Sequence, residues 1–253
     1  MAEKKIYFAK GDNPKLIEAY QKAQDTFGYF WRELYWEGRR IIPALDMASV
    51  KVAFTQEYIN EDGEEDIAVE HMWIGDIYYD GEYIYGELLN EPGQLTNIEE
   101  GDEVAVTLDQ ISDWLFLSQG RAYGGFTIQA MRSEMEEDEL KGHDEAWGID
   151  FGDPNKVVLA YEEEHPENLV EHPMSKNMRE SFIEFLDKNP EELDFVDDSG
   201  LSFLHREVLA GNLTIVEVLL EKGVDKNAKT PAGKTALDFA KQLNWKHLIP
   251  VLS

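Results

Sequence analysis

The sequence contains no cysteine, and it has no apolar run long enough to cross a membrane. The first absence excludes a disulfide framework, a thiolate metal site and a cysteine nucleophile. It is compatible with a reducing cytosol. At the N-terminus, Lys4 and Lys5 lead into polar residues instead of the apolar segment of a secretory signal. The sequence therefore predicts a soluble, cytoplasmic protein that has no contact with a membrane.

Basic residues are scarce in this chain. It has 23 Lys and Arg against 52 Asp and Glu, which gives a formal net charge of −29 over 253 residues. This exceeds the magnitude of about 2 to 8 that is usual for a small soluble domain. Nucleic-acid binding is disfavoured, because phosphate backbones are bound by concentrated Lys and Arg. An acidic surface of this kind either serves solubility or steers a basic partner protein into contact.

A long helix is predicted at the start of the chain. Asn13 can cap it, Pro14 suits the first helical position, and the pattern continues to about Glu37. Apolar side chains recur near the helical period at Leu16, Tyr20, Ala23, Phe27, Phe30, Trp31 and Leu34. This aromatic stripe predicts a buried face.

Strand patterns follow the breakers Gly38 and Pro43. Alternating and β-branched residues predict strands at 50–54, 67–74, 82–89, 103–108 and 114–117, separated by turn residues. A loop at 120–125 and a helix at 126–140 complete an α+β unit with a mainly antiparallel sheet. We expect this domain to span residues 1–142. A connector at 143–173 follows, with one short extended piece at 157–161.

An internal repeat marks the last part of the chain. Residues 200–205 read GLSFLH and residues 233–238 read GKTALD, 33 positions later. This period, and the partial match to a G-x-T-P-L-H start, resemble ankyrin repeats. One full unit covers 197–229, a truncated unit covers 230–253, and 178–194 is typical of an N-terminal cap. The prediction is an all-α ankyrin-type repeat array at 174–253.

An ankyrin resemblance implies protein binding through the turn tips and the inner helices. Two and a half units are marginal for an array that must stack to bury its apolar faces, so we expect it to lean on the rest of the chain. The partner-binding candidates are Asp198, Ser199, Leu201, Arg206, Glu207, Asn212, Thr230, Lys234, Phe239 and Lys241.

Five motifs in the first domain resemble a bacterial family, the YegJ-like domains. They are EHMW at 70–73, GELLNEP at 86–92, GDEV at 101–104, ISDW at 111–114 and YGGFT at 123–127. The resemblance spans about residues 27–135. It implies a small α+β unit, in some members followed by ankyrin repeats, and it carries no established activity.

Candidates for chemistry are weak in this sequence. Gly124 and Gly125 before a helix permit either a close backbone approach or an anion, but a phosphate-loop pattern is absent. A strand places neighbouring residues on opposite faces, so Glu70 and His71 are a poor acid/base pair. The remaining candidates are Asp76, an Asp113 and His143 pair, and the histidines His165 and His172, whose spacing fits no helical metal site. We expect no enzyme, no metal and no cofactor.

These observations favour a non-enzymatic bacterial protein that captures a specific, basic protein. The concrete version of this hypothesis is an immunity protein that neutralises a cognate toxin. The alternative is a small-ligand-binding or enzymatic YegJ-like domain for which the ankyrin array is a docking module. A scaffold with several partners is a third hypothesis, and the oligomeric state stays open.

Overall fold

The computed structural model describes residues 13–160, 163 and 165–253. The N-terminal lysines lie outside the described residues. So does Tyr161, the last residue of the extended piece predicted at 157–161. The described chain has an antiparallel six-stranded sheet with helices packed against it, which confirms the predicted α+β class. No helix in this part of the chain is long and apolar enough to cross a membrane.

Helix α1 (Pro14–Glu37) has the predicted bounds. The side-chain oxygen of Asn13 accepts a hydrogen bond from the backbone of Lys15 at 2.9 Å, which caps the helix. The predicted stripe is buried: Phe27 and Phe30 are fully inaccessible to solvent and lie in the main hydrophobic core. The aromatic stripe therefore holds α1 on the sheet.

The sheet consists of six strands in the order β4-β3-β2-β1-β5-β6, with each neighbouring pair antiparallel. They are β1 (Met47–Ile59), β2 (Glu65–Tyr79), β3 (Ile84–Leu88), β4 (Glu103–Val106), β5 (Ile111–Ser118) and β6 (Arg121–Gly124). Val50 pairs with Ile74 on one side and with Trp114 on the other. All three side chains are buried, so this row forms the centre of the core.

Two local predictions were wrong. The predicted loop at 120–125 contains β6, because Ala122 and Tyr123 are buried and pair with β5. The predicted helix at 126–140 is two helices, α2 (Phe126–Arg132) and α3 (Glu137–Trp147). The first turn of α3 contains three acidic residues, which the positive N-terminal end of the helix dipole stabilises. At the C-terminal end of one continuous helix the dipole would destabilise the same residues.

Gly124 and Gly125 connect β6 to α2, and the backbone at Gly124 passes close to Trp114 of β5. A Cβ atom on Gly124 would lie 2.3 Å from the carbonyl oxygen of Trp114. The anion at the start of α2 belongs to the chain itself. The Asp113 carboxylate accepts hydrogen bonds from the backbone N–H groups of Phe126 and Thr127 at 2.8 and 2.7 Å.

The second half of the described chain is helical. It contains α4 (Pro173–Asn177), α5 (Arg179–Lys188), α6 (Phe203–Leu209), α7 (Leu213–Glu221), α8 (Ala236–Gln242) and α9 (Ile249–Leu252). Two turns repeat at the 33-residue interval. The bridge between Val196 and Ser202 recurs between Lys229 and Thr235, and Ser202 and Thr235 each cap the helix that follows. The predicted turns and helices are present, while their ankyrin class stays a prediction.

Helix α1 also packs against these helices. A single hydrophobic cluster includes buried residues of α1, of the sheet and of α6 to α9. Trp245 lies so close to α1 that a Cβ atom on Gly28 would come within 2.9 Å of its ring. The predicted domain limit at 142 falls inside α3. The domain boundaries therefore stay predictions, within a chain that shares one core.

Replacement of Gly124 by alanine tests the close approach at the start of α2. Gly124 has a φ of 78°, and its Cβ would overlap the Trp114 carbonyl, so Gly124→Ala should lower the free energy of unfolding by about 2 to 5 kcal/mol. Gly142, inside α3 with open space around it, is the control. Gly142→Ala should stabilise by about 0.5 to 1 kcal/mol in the same urea titration. Equal effects would contradict the packing at Gly124.

The buried imidazole of His205 should make stability depend on pH. Burial lowers the pKa of His205 below its ordinary value, while its Nε2 contacts the carbonyl oxygen of Ala228. In the unfolded chain the pKa of His205 is higher, so the unfolded chain takes up the proton first as the pH falls. The free energy of unfolding should therefore decrease between about pH 7 and about pH 5. Thermal unfolding of His205→Gln should show a shallower pH slope than the wild type. The exposed control His165→Gln should keep the wild-type slope.

Candidate functional site

A groove of about 460 Å³ lies between α1, the end of β2 and the turn before α6. We call it the central groove. Side chains from all three elements line it, including Trp31, Leu34, Tyr35, Arg39, Ile77, Tyr78, Tyr79, Asp197, Asp198, Ser199, Leu201 and Arg206. The groove therefore joins the sheet half of the chain to its helical half.

One face of α1 forms the first wall. Trp31 and Tyr35 are four residues apart, which places them on the same side of the helix axis. Arg39, in the turn after the helix, continues this wall. The Arg39 guanidinium carbon lies 4.0 Å from the centre of the Tyr35 ring. The Trp31 ring meets Tyr79 nearly edge-on at 5.6 Å between centroids. This wall is consequently aromatic and rigid.

A buried carboxylate holds two side chains of that wall in place through hydrogen bonds. Glu207 on α6 is 1% exposed, and it accepts hydrogen bonds from the Tyr35 hydroxyl, from Arg39 at 3.0 Å and from Asn212 at 2.7 Å. Burial, together with the negative charge of Glu207, raises the pKa of Tyr35 well above its ordinary value. Tyr35 therefore remains a neutral donor at physiological pH.

The turn before α6 forms the opposite wall. The Asp197 carboxylate accepts hydrogen bonds from the backbone N–H groups of Ser199 and Leu201, which fixes the turn. The Ser199 hydroxyl lies 3.1 Å from the Tyr78 hydroxyl and so links the turn to β2. Asp198 is exposed at the rim. The two halves of the chain meet here through hydrogen bonds as well as packing.

Exposed tyrosines extend from the central groove, and two exposed isoleucines lie in the loop after α1. Tyr78, Tyr83 and Tyr85 are 43%, 38% and 38% exposed, and Ile41 and Ile42 in the loop after α1 are 99% and 80% exposed. The three tyrosine rings are neighbours, at 6.0 Å between Tyr78 and Tyr85 and 6.3 Å between Tyr85 and Tyr83, and such a contiguous aromatic surface is typical of an interaction site.

The exposed isoleucines are held in place by the last residue of α1. The Glu37 carboxylate accepts hydrogen bonds from the backbone of Ala44 and Leu45 and pairs with Arg40 at 3.0 Å. These bonds close the loop between its two ends. Ile41 and Ile42 consequently lie at the tip of a fixed loop.

The other side of α1 carries a second buried network. Arg32 and Glu33 are 1% and 0% exposed and form an ion pair at 3.3 Å. Arg32 also donates to the carbonyl oxygens of Asn168 and Leu169. Burial opposes the charged form of Glu33, but contacts with His172 and Arg32 lower its pKa below the ordinary value. This network fixes the position of α1 relative to the helical half.

The structure separates the ten predicted partner-binding residues into two groups. Asp198, Ser199, Leu201 and Arg206 line the central groove, whereas the other six do not, namely Glu207, Asn212, Thr230, Lys234, Phe239 and Lys241. Five side chains are buried and offer little surface to a partner, namely Leu201, Glu207, Asn212, Thr230 and Phe239. They are buried because the helical half packs on α1 and on the β2–β3 turn, where Phe239 lies against Gly81.

Sequence reasoning missed the α1 and β2 walls of the groove. The helical stripe that contains Trp31 was assigned to the core, and burial of Trp31 agrees with that. Tyr35, one turn further along α1, and Arg39, just after the helix, line the groove together with Trp31. Tyr83 and Tyr85 lie two positions apart, which was a sequence signal for the aromatic surface beside Tyr78 but not for the two walls themselves.

The other chemical candidates have structural partners or stay apart. Glu70 accepts hydrogen bonds from the backbone N–H groups of Gly93, Gln94 and Leu95, so it holds a loop. His172 stacks on Trp36 at 5.3 Å and belongs to the Glu33 network. Among the residues that the structure describes, no group of three His, Asp or Glu side chains is arranged to hold a metal ion.

Comparison with known proteins identifies the family. A family model described as an uncharacterized protein conserved in bacteria, DUF2314, matches residues 13–151. The chain belongs to this family. The match covers α1, the whole sheet and α2 and α3. Together with the similarity to YegJ given below, it confirms the predicted resemblance of the first domain to a bacterial YegJ-like family.

Two relatives extend this result. A protein of Neisseria meningitidis serogroup B with "ankyrin repeat protein" in its name is 51% identical over 253 residues, which cover 100% of this chain and 98% of the relative. The uncharacterized protein YegJ of Escherichia coli K12 is 36% identical over 75 residues, which are 28% of this chain and 49% of the relative. No solved structure matches the chain.

Removal of the Tyr35 hydroxyl should weaken the junction below the groove. Tyr35→Phe deletes a hydrogen bond to the buried Glu207 carboxylate, which should cost about 1 to 3 kcal/mol of unfolding free energy. Tyr83→Phe is a matched control, because that ring is exposed, and it should stay within about 0.5 kcal/mol of the wild type. Urea unfolding measures both variants. A Tyr35→Phe variant as stable as the control would contradict the described contact.

Proposed function

We propose that this DUF2314-family chain is a non-enzymatic protein-binding protein and that its partner docks at the central groove. The observation that carries the proposal is the continuity of the groove with exposed tyrosines. Tyr78 lines the groove, its ring lies 6.0 Å from that of Tyr85, and the Tyr85 ring lies 6.3 Å from that of Tyr83. Aromatic residues are enriched in protein interfaces because they bury a large area at a low cost in conformational entropy. The loop closed by Glu37 and the rigid aromatic wall are fixed before a partner binds, which reduces the entropy lost on binding further.

Charge indicates the chemistry of the partner. The chain carries a formal net charge of −29, and Asp198 lies exposed at the groove rim. A basic partner would be steered toward such a surface, and its association rate would fall as salt screens the attraction. A basic toxin, with this chain as its immunity protein, is the concrete form of the proposal.

The helical half supports the proposal if its turns belong to an ankyrin-type array. The bridges at Val196–Ser202 and Lys229–Thr235 and the two capped helices recur at 33 residues, the ankyrin period. The Neisseria meningitidis relative has ankyrin repeat in its name. In such arrays the turns and inner helices contact partners. Here the first of these turns is the one that lines the central groove.

A capture experiment with a matched pair of tyrosine variants tests this proposal. The tagged full-length chain, Tyr78→Ala and Tyr58→Ala are used as baits in lysate of the bacterium that encodes the chain, and the bound proteins are quantified by mass spectrometry. Tyr58 is 44% exposed at the far end of the β1–β2 hairpin, so it controls for loss of an exposed ring. Tyr78→Ala should reduce capture of a basic protein by about tenfold or more, as expected of an interface hot spot.

The salt dependence of capture separates specific docking from adhesion. The wild type and Tyr58→Ala should retain the same basic protein and lose it progressively as ionic strength increases. Recovery of an identical set of proteins with Tyr78→Ala would overturn the assignment of the central groove. If no basic protein were enriched by any of the three baits, the predicted partner class would be wrong.

A further inference from the structure

A second cluster of polar and aromatic side chains lies on the sheet, apart from the central groove. In the strand register, Lys51 of β1 is opposite Trp73 of β2 and opposite Asp113 of β5. His71 is two residues from Trp73 on the same strand, so it shares the face and is a diagonal neighbour of Lys51. The three strands thus bring a cation, an imidazole and an indole together.

Lys51 forms no ion pair with any residue that the structure describes. Its side chain is partly buried and its Nζ lies 5.6 Å from the Trp73 ring centre, yet it makes no ion pair or hydrogen bond with any described residue. Among the other described lysines without an ion pair, Lys226 is partly buried but donates a hydrogen bond to the backbone oxygen of Ser253, and the rest are exposed, namely Lys176, Lys229, Lys234, Lys241 and Lys246. A partly buried ammonium without an acceptor is costly, so this position favours an external anion.

Asp113 cannot supply that acceptor. Both of its carboxylate oxygens accept hydrogen bonds from the start of α2, through the backbone of Phe126 and through the backbone and hydroxyl of Thr127. The Asp113 carboxylate is thereby committed to the helix. It balances part of the Lys51 charge at a distance, while the three Lys51 donors stay without acceptors.

His71 has an unused hydrogen-bonding atom as well. Its Nδ1 is buried and has no hydrogen-bond partner among the described residues. The ring stacks on Tyr20 of α1 at 5.1 Å between centroids, with 15° between the planes. Burial, and then the positive charge of Lys51, lower the pKa of His71, so its imidazole is neutral at physiological pH. A neutral imidazole can donate one hydrogen bond.

The backbone around this cluster is fixed by loops from elsewhere in the chain. The Asn90 side-chain oxygen accepts a hydrogen bond from the backbone of Trp73 at 2.8 Å. Trp73 also packs against the small hydrophobic cluster of Leu115 and Phe151. Four of the five motifs that resemble YegJ-like domains, at 70–73, 86–92, 111–114 and 123–127, therefore meet at this place. The arrangement is rigid, as a binding site requires.

We infer that Lys51, His71 and Trp73 bind a small oxyanion, the carboxylate or phosphate group of a small molecule. The oxyanion would accept hydrogen bonds from the Lys51 ammonium and from His71, and the rest of the molecule would lie against the Trp73 ring. An oxyanion satisfies both unused groups at once, whereas a cation would be repelled by Lys51. This inference does not depend on protein docking at the central groove.

Competitive acetylation of the intact wild-type chain tests the inference without any substitution. Trace acetic anhydride labels exposed amines, and mass spectrometry compares Lys51 with Lys229 in chloride, in inorganic phosphate and in benzoate at equal ionic strength. Bound anion should slow labelling of Lys51 about tenfold when its concentration is ten times Kd, because about one-tenth of the sites then stay free. Labelling of Lys229 should not change.

The two anions distinguish the source of the oxyanion. Protection by phosphate alone assigns a phosphate group, protection by benzoate alone assigns a carboxylate beside the indole, and protection by both supports the shared chemistry. If neither anion protects Lys51 more than Lys229, the inference is overturned.

A charge-matched pair of variants gives an independent measurement. Lys51→Met and Lys229→Met each remove one positive charge, and Met retains most of the Lys51 stem volume. The protecting anion should raise the Tm of the wild type and of Lys229→Met but not that of Lys51→Met. An equal increase in all three proteins would indicate general salt stabilisation and contradict the site. If Lys51→Met does not fold, the labelling of the wild-type chain decides the matter.

Discussion

The burial of Arg32 and Glu33 inside α1 is the constraint on which the rest of the structure depends. Two charges without solvent are tolerated only when each has partners, and here these come from Asn168, Leu169 and His172, far along the chain. The helix that carries the sheet core is therefore tied to the helical half. Both walls of the central groove have their positions set by this connection.

The sequence predicted the elements whose signals are local. The cap at Asn13 and the apolar period defined α1, and turn residues separated the strands. It did not predict β6, because a short edge strand next to two glycines has the composition of a loop. It also merged α2 and α3, since the break at 133–136 contains good helix formers and depends on the favourable position of acidic residues in the first turn of α3.

The candidate site was predictable only in part, for a different physical reason. The 33-residue interval predicted the turn before α6, and four residues of this turn line the groove. The opposite wall comes from residues more than 100 positions away, such as Tyr35 and Tyr78, and nothing in their neighbourhood encodes that meeting. From the sequence alone, a glutamate such as Glu207 is expected at the surface. Its burial is tolerated because Tyr35 and Arg39, which are distant in sequence, donate hydrogen bonds to its carboxylate.

The contact between Gly81 and Phe239 has a consequence for how this chain can vary. The ring of Phe239 in α8 occupies the space that a side chain at residue 81 would need, with 2.6 Å to a Cβ placed there. The β2–β3 turn and α8 therefore share one fixed volume. Residue 81 also has a φ of 90°, which side-chain-bearing residues rarely adopt, so its backbone and the Phe239 ring both exclude a side chain there. Glycine at 81 should therefore be kept among relatives that keep Phe239, even though one position lies in the matched family region and the other lies beyond it.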